Sequence, residues 1–468
     1  MGRLVCVSNR ISLPRKTAAP GGLAVGILTA LKRTGGLWFG WGGETIEHEP
    51  GDPDIHIREG VTYATIDLRQ SEYELYYNGY ANDLLWPLFH YFLRGMRYSV
   101  EERDAYENVN RLFAHKLVPL LQPQDLIWVH DYHLIPLGRL LREQGVQRPL
   151  GFFLHIPFPN IEMLRVLPTY AELLLDLTHY DVVGFQTEND LRAFHSGIEH
   201  LFGPEAILPN NRIRVGDRVL RADVFPIGVD VEALQSKSVA AIETDVVRRM
   251  IDSLMSRDLM IGVDRLDYSK GLVERFTAYQ HFLETYPEHI GRITYIQIAP
   301  LSRTDVRAYA DIRRALEQAA GRTNGRFADT DWTPIRYLNR NFPHATLCGF
   351  LRAANVGLVT PLRDGMNLVA KEFVAAQDPE NPGVLILSTL AGAARELSAA
   401  LLVNPYDTRA VAHAIQTALS MPLSERLERH QSMLQILRRN DIAAWTRRFL
   451  EALDEAEGGD SKRVRAAS

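Results

Sequence analysis

Cysteine is nearly missing. Cys6 and Cys348 are the only two in 468 residues, far apart and in apolar settings. A disulfide framework and a cysteine-ligated zinc site are excluded, and a reducing, cytoplasmic compartment is expected. No run of about eighteen apolar residues occurs, and Met1 is followed almost at once by an apolar strand, so neither a membrane span nor a signal peptide is expected. A basic surplus is also lacking, with 52 Lys and Arg against 57 Asp and Glu. No global field invites nucleic acid or anionic lipid, and an anionic substrate would need a local basic pocket. No P-loop or G-x-S-x-G pattern is found. The chain is too long for one core and should hold two or three domains.

What is present is organised around Val359-Thr360-Pro361-Leu362-Arg363-Asp364-Gly365-Met366-Asn367-Leu368-Val369-Ala370-Lys371-Glu372. Val356 to Thr360 reads as a buried strand, Pro361 stops it, Asp364-Gly365 turns, and Met366 to Gln377 reads as a helix. Such a corner aims backbone N–H groups of the helix start beyond the strand, where they and the helix dipole favour an anion, above all a phosphate. A carboxylate only accepts hydrogen bonds, so Asp364 and Glu372 suit the hydroxyls of a sugar or ribose. Diphosphate donors flanked by two hydroxyl acceptors would fit a nucleotide-sugar. The stretch by itself is equally compatible with a capping Asp and a solvated helical Glu.

Along the chain, Leu4 to Ser8 is a short strand ending in Asn9-Arg10. Gly21-Gly22-Leu23-Ala24-Val25-Gly26 opens a helix without matching G-x-G-x-x-G. Its adjacent glycines serve either a tight turn or the close approach of a ligand to backbone. Leu37 to Trp41 and Val61 to Ile66 read as strands, and most aromatics of Glu72 to Tyr98 should face the core at helical spacing. From Leu126 strands and helices alternate: Leu126 to His130 before Asp131-Tyr132-His133, Leu150 to Leu154 before His155, and Asp181 to Phe185 before Thr187. Polar groups just past strand ends are what a doubly wound sheet presents to a ligand. Asp131 is either a helix cap or a ligand group. His130 and His133 invite a metal, but no accompanying pattern supports one. Val231 to Ser256 reads as an exposed helix bridging two domains.

A second alternating series follows. Leu259 to Val263 precedes the loop Asp264 to Gly271, and Ile293 to Ala299 precedes Pro300 to Asp305. Part of the latter, Ser302 with Asp305, matches a capping pattern. Ile335 to Leu338, Val356 to Thr360, Val384 to Leu387 and Leu401 to Val403 complete a second doubly wound sheet. Asp329-Thr330-Asp331-Trp332-Thr333 fits the D-x-D-x-T pattern of aspartyl-phosphate phosphatases, but no strand precedes it. A final helix runs from Ile442 to Leu453. The expected domains are 1–233 and 234–440, both Rossmann-like, a helix over 441–456 packing back on the first, and a polar, disordered tail over 457–468.

The chain resembles the trehalose-6-phosphate synthases, retaining glycosyltransferases built from two Rossmann-type domains. The resemblance rests on Val7-Ser8-Asn9-Arg10, Gly21 to Gly26, Leu37-Trp38-Phe39-Gly40-Trp41, His130-Asp131-Tyr132-His133, Gly151 to Pro159, Gly184 to Asp190, Arg265 to Gly271 and Pro361 to Glu372. It implies an α/β fold of GT-B type, two facing doubly wound domains with the active site in the cleft between them. It also implies transfer of glucose from UDP-glucose to glucose 6-phosphate, giving α,α-trehalose 6-phosphate and UDP, without metal or cofactor.

Carried over by position, Gly21 and Gly22 would approach the donor diphosphate, and Arg265 and Lys270 would hold it as it leaves. Asp364 would bind hydroxyls of the donor glucose, and the backbone N–H groups of Met366, Asn367, Leu368 and Val369 would contact glucose and diphosphate. Glu372 would bind the ribose, Phe342 would line the base pocket, and His155 would sit beside the reacting carbon. Arg10, Tyr77, Trp86, Asp131 and Arg303 would form the acceptor site. Gly43 departs from the serine found in family members, a change expected to alter a turn near the donor loop without bearing on any of the residues named. A related transferase using another phosphorylated acceptor, such as glycerol 3-phosphate, would differ around Tyr77 and Trp86. A silent nucleotide-sugar sensor would more readily have lost Arg265, Lys270 or Asp364. A homo-oligomer is left open.

Overall fold

The computed structural model describes residues 2–11, 27–28, 30–32, 35–301 and 307–466. Gly21, Gly22 and Arg303 lie outside these residues, as do Ser302 and Asp305 of the capping pattern. Two compact units result, one made of Met1–Ile227 with Ala443–Ser468, the other of Gly228–Ile442.

The first unit carries β1 (Leu4–Arg10), β2 (Leu37–Ile46), β3 (Asp54–Arg58), β4 (Val61–Arg69), β5 (Leu126–His130), β6 (Leu150–Phe153), β7 (Val182–Phe185), β8 (Ile207–Leu208), β9 (Arg212–Val215) and β10 (Arg218–Val224). Their order is β3-β4-β2-β1-β5-β6-β7-β10-β9-β8. The run from β4 to β10 is parallel, with antiparallel strands at both edges. The chain builds outward from β1 to β2 and β4, then returns to place β5, β6 and β7 on the other side. The point of reversal therefore lies between β1 and β5. Central strands such as Leu126-Ile127-Trp128-Val129-His130 are buried throughout. They read as continuous apolar runs because both sheet faces are covered.

Between β4 and β5 the aromatic region departs from the expected α-helix. Tyr73–Leu85 is a π-helix, entered from the short turn Gln70–Glu72 and left through Trp86–Phe89. Tyr76, Tyr80 and Leu84 face the core, whereas Tyr73 and Tyr77 stay half-buried. Long π-helical stretches are rare and concentrate at functional sites.

The second unit contains β11 (Asp258–Val263), β12 (Ile293–Ile298), β13 (Ile335–Leu338), β14 (Val356–Val359), β15 (Val384–Ser388) and β16 (Leu401–Val403). All are parallel, in the order β13-β12-β11-β14-β15-β16. Numbered within the unit this is 3-2-1-4-5-6, the Rossmann order, with its switch point between β11 and β14. The expected bridging helix over Val231 to Ser256 is instead two helices, Val231–Ile242 and Asp245–Asp252. Both pack on the helix His344–Ala353, where a Cβ added at Gly349 would lie 2.8 Å from Val247 and 2.9 Å from Ala241. Asp329 sits in a turn closed by its N–H to the Trp332 carbonyl (3.0 Å), and Asp331 pairs with Arg257, so the D-x-D-x-T match is a surface loop.

The last helix, Ile442–Ala466, leaves the second unit and completes the core of the first. Phe449 stacks on Trp128 of β5 at 4.4 Å between centroids, and Trp445 lies 4.8 Å from the same indole. Gly151 and Gly184 make room, since an added Cβ would come within 2.6 and 2.9 Å of the Phe449 ring. The helix runs through Ala466, past the Leu453 end expected from the sequence. Among the described residues no helix is long and apolar enough to cross a membrane.

Truncating so deeply buried a ring leaves a cavity against β5, β6 and β7. Phe449→Ala is expected to lose about 3–5 kcal/mol in urea unfolding followed by circular dichroism. A loss below about 1 kcal/mol would show that the helix is a surface appendage.

Candidate functional site

In the second unit the loops after β11 and β14 meet at the switch point. Asp264 directly follows β11 and is buried against Arg275, 2.5 Å from its guanidinium. Arg275, on the helix Leu272–Thr285, also donates to Thr360 Oγ1 after β14 (3.1 Å) and to Gln297 Oε1 on β12 (3.3 Å). The ends of three strands are thereby tied together beneath the loops. Asp267 then folds the β11 loop, accepting from Ser269 N–H at 2.9 Å and from the Tyr309 hydroxyl at 3.0 Å. Gly271 adopts φ +65°, and an added Cβ would stand 2.6 Å from the Thr360 carbonyl, so glycine is required there.

These supports bring Lys270, itself buried, into an ion pair with Asp364 across the two loops. Arg265 is exposed on the same β11 loop. Asp364 also accepts from Asn367 Nδ2 at 3.0 Å. The helix begins at Leu368, two residues later than expected. Asn367 takes φ +71° as its N-cap and accepts from Ala370 N–H, placing Met366 and Asn367 in the loop. The N–H groups of Leu368 and Val369 lie in the first turn, where the helix supplies no acceptor. Glu372, on that helix, is 3.5 Å from His344, a residue the sequence did not single out. Phe342, past the end of β13, is half-buried between Arg340 (4.6 Å) and the edge of Phe350 (5.3 Å).

In the first unit Arg10, Asp131 and His155 stand at the ends of the adjacent strands β1, β5 and β6. Arg10 lies over the Trp41 ring at 5.4 Å. Gly43 permits this, because it has φ +101° and an added Cβ would meet the guanidinium at 2.7 Å. The departure from serine at Gly43 therefore bears directly on Arg10. Asp131 has φ +76° and makes no capping bond; its carboxylate accepts from His155 N–H at 3.3 Å. That geometry removes the helix-cap reading. Residues held in such sparsely populated conformations cluster at active sites and ligand clamps.

Tyr77 stacks on His133 (5.7 Å, 13°) and on Tyr73 (5.3 Å, 19°), with Trp41 against both tyrosines. Tyr73 was not singled out, since its part in the ladder comes from the π-helix. Trp86 is buried at 4% exposure, against His90 and Tyr132. His130 and His133, paired by sequence, face different partners: His133 joins the tyrosines, and His130 Nδ1 lies 3.1 Å from His155 Nε2. Burial lowers the pKa of His130 well below the usual imidazole range and that of His155 to about 3.

Two doubly wound units, each gathering polar and aromatic groups at the switch point of its parallel sheet, define a Rossmann-type enzyme built for an anionic, hydroxyl-bearing ligand. The chain belongs to glycosyltransferase family 20, whose model matches residues 8–455. A trehalose-6-phosphate synthase of Klebsiella pneumoniae is 49% identical over 454 residues, covering 97% of this chain and 95% of that one. An α,α-trehalose-phosphate synthase (UDP-forming) from Burkholderia xenovorans, solved in complex with glucose-6-phosphate, is 48% identical with a TM-score of 0.93, over 97% of this chain and 100% of that one. An E. coli structure bound with UDP-2-fluoro glucose is 48% identical with a TM-score of 0.92, over 97% and 99%.

The two histidines couple stability to pH. Their folded pKa values lie below the unfolded value, so on acidification the unfolded chain takes up protons that the folded chain refuses. Stability is present above about pH 6.5 and is lost as the pH falls towards 3. Asp176, raised to about 6 by burial, opposes this by binding its proton in the folded state. The difference between wild type and His155→Gln isolates the imidazole. Between pH 6.5 and 4.5 the wild type is expected to lose about 1–2 kcal/mol more than the variant in urea unfolding. Parallel losses would mean that His155 titrates normally.

Proposed function

We propose that this chain transfers glucose from UDP-glucose to glucose 6-phosphate with retention, giving α,α-trehalose 6-phosphate and UDP. The observation that carries the reading is the Lys270–Asp364 pair at the β11/β14 switch point, with Arg265 on the same loop, in a member of glycosyltransferase family 20. The two relatives crystallised with glucose-6-phosphate and with UDP-2-fluoro glucose support the two substrates.

In this reading Asp364 accepts from hydroxyls of the donor glucose, and Arg265 and Lys270 face its diphosphate. The N–H groups of Met366, Asn367, Leu368 and Val369 contact glucose and diphosphate, Glu372 accepts from the ribose, and Phe342 lines the base pocket. Gly21 and Gly22 approach the diphosphate through backbone. Arg10, Tyr77, Trp86, Asp131 and Arg303 form the acceptor site, and His155 lies beside the reacting carbon. Breaking the bond from the anomeric carbon to the phosphate oxygen leaves positive charge on the sugar and negative charge on the diphosphate. Arg265, Lys270 and the helix-start N–H dipoles stabilise that negative charge where it grows, the part a divalent cation plays in other transferases. The acceptor hydroxyl attacks from the face the diphosphate leaves, and its proton passes to a departing phosphate oxygen. Asp131 is the carboxylate available for a covalent route, a role secondary to acceptor binding. The proposed location is cytoplasmic, in keeping with two buried free cysteines.

Charge-assisted contacts of this kind contribute roughly 1.5–3 kcal/mol each, so Arg265→Ala or Lys270→Ala should lower kcat at least about tenfold. Because the charge appears mainly in the transition state, KM for UDP-glucose should move less. A raised KM with kcat near wild type would remove both residues from the leaving-group site.

Acceptor choice gives the second test. Arg10 and Arg303 would grip the acceptor phosphate, each with a planar fork that meets two oxygens. Arg303→Ala should cost about ten- to a hundredfold in kcat/KM for glucose 6-phosphate while narrowing the preference over unphosphorylated glucose. Equal losses with both acceptors would remove Arg303 from the phosphate site.

A further inference from the structure

His130 has no part in the proposed site, yet among the described residues it makes the one side-chain hydrogen bond to the His155 ring, 3.1 Å from His130 Nδ1 to His155 Nε2. Burial keeps both rings neutral near pH 7, so each carries one proton. A single proton occupies the 3.1 Å contact, and which ring supplies it fixes the tautomer of both.

His130 Nε2 settles the choice. It is sealed from solvent and has no hydrogen-bond partner among the described residues. The ring is packed 4.6 Å from Trp128 and 6.4 Å from Trp445, whose indole nitrogens are sealed and without acceptors as well. Indole nitrogen only donates. The cluster thus holds no acceptor for His130 Nε2, a setting that tolerates a lone pair and penalises a proton. An orphaned buried N–H is the rarer and costlier of the two arrangements. The proton of His130 is therefore on Nδ1.

We infer that His130 is a positioning residue: by donating from Nδ1 to His155 Nε2, it holds His155 in the tautomer whose own proton is on Nδ1. His155 is only partly buried, and its Nδ1 is not among the sealed, unpartnered atoms. Resting on the reading that places His155 beside the donor glucose, the consequence is specific. His155 offers the sugar a neutral N–H donor. With Nε2 committed to His130, it has no free lone pair with which to act as a base. Nor does it add positive charge next to the carbon where positive charge develops. The orientation of this donor is set from beneath, by a residue that never touches substrate.

Long-range 1H–15N correlation of histidine side chains in the full-length protein tests the assignment directly, with resonances identified through His130→Asn and His155→Gln. Both rings are expected neutral at pH 7 with the proton on Nδ1. A His155 proton on Nε2, or a charged ring, overturns the proposal. In turnover, His130→Leu should lose about tenfold in kcat at unchanged KM for glucose 6-phosphate, while His130→Asn, whose amide N–H replaces the Nδ1 donor, recovers most of it. Equal losses in both variants, with the His155 signal unaltered, would mark His130 as mere core and overturn the positioning role. Should His130→Leu fail to fold, the wild-type tautomer signal still decides. An Nδ1 proton on His155 together with wild-type turnover in His155→Gln would confirm the pairing but take His155 out of the donor site, so failure of the site reading is told apart from failure of the relay.

Discussion

The buried pair between Asp264 and Arg275 is the constraint on which the second unit's site depends. One guanidinium reaches the end of β11, a side chain of β12 and the first residue past β14. Such a pair adds little net stability over an apolar replacement, because taking both charges out of water offsets their attraction. Its effect is geometric. Three strand ends are held in fixed relation, and the loops carrying Lys270 and Asp364 start from that platform. Losing either partner would strand a charge in the core, at about 3–5 kcal/mol. The platform is therefore hard to alter piecemeal.

The first unit solves the same problem with rings. Arg10 rests on Trp41, Tyr77 rests on His133, and His155 rests on a cluster that includes the terminal helix. Stacked aromatics fix orientation at low cost in side-chain entropy, because each ring has only two rotatable bonds. The π-helix contributes by placing Tyr73 and Tyr77 on one side and Tyr76 and Tyr80 on the other. Polar groups at the ends of β1, β5 and β6 thus meet preformed surfaces.

Much of this was legible. The bounds of β5, β13 and β16 follow from their apolar runs, and both doubly wound sheets follow from the alternation of strands and helices. Asp131, His155 and Asp364 could be picked out because each sits just past such a run, whereas Lys270 and the part expected of Arg10 came with the family resemblance. Other features left no local trace. β3 is exposed along its whole length, and β8 has two residues, so neither shows a burial pattern. Aromatics four residues apart fit α- and π-helices alike, which hid the π-helix. The late helix start depends on Asn367 adopting a left-handed conformation that its neighbours do not dictate. His344 and the pairing of His130 with His155 arise from tertiary contact alone, and spacing in the chain cannot reveal them.

The first unit is closed by a segment that follows the whole of the second unit in the chain. Ribosomal synthesis delivers β1 to β10 first and then the whole of the second unit, Gly228–Ile442, before Trp445 and Phe449 emerge. Until then Gly151 and Gly184 line an unfilled slot, and Trp128 lacks the ring that stacks on it. Domains ordinarily mature from the N-terminus as they are made. Here the N-terminal half must wait, partly assembled, through the synthesis of some two hundred further residues (Gly228–Ile442). A nascent chain halted anywhere before Trp445 therefore lacks a finished first core.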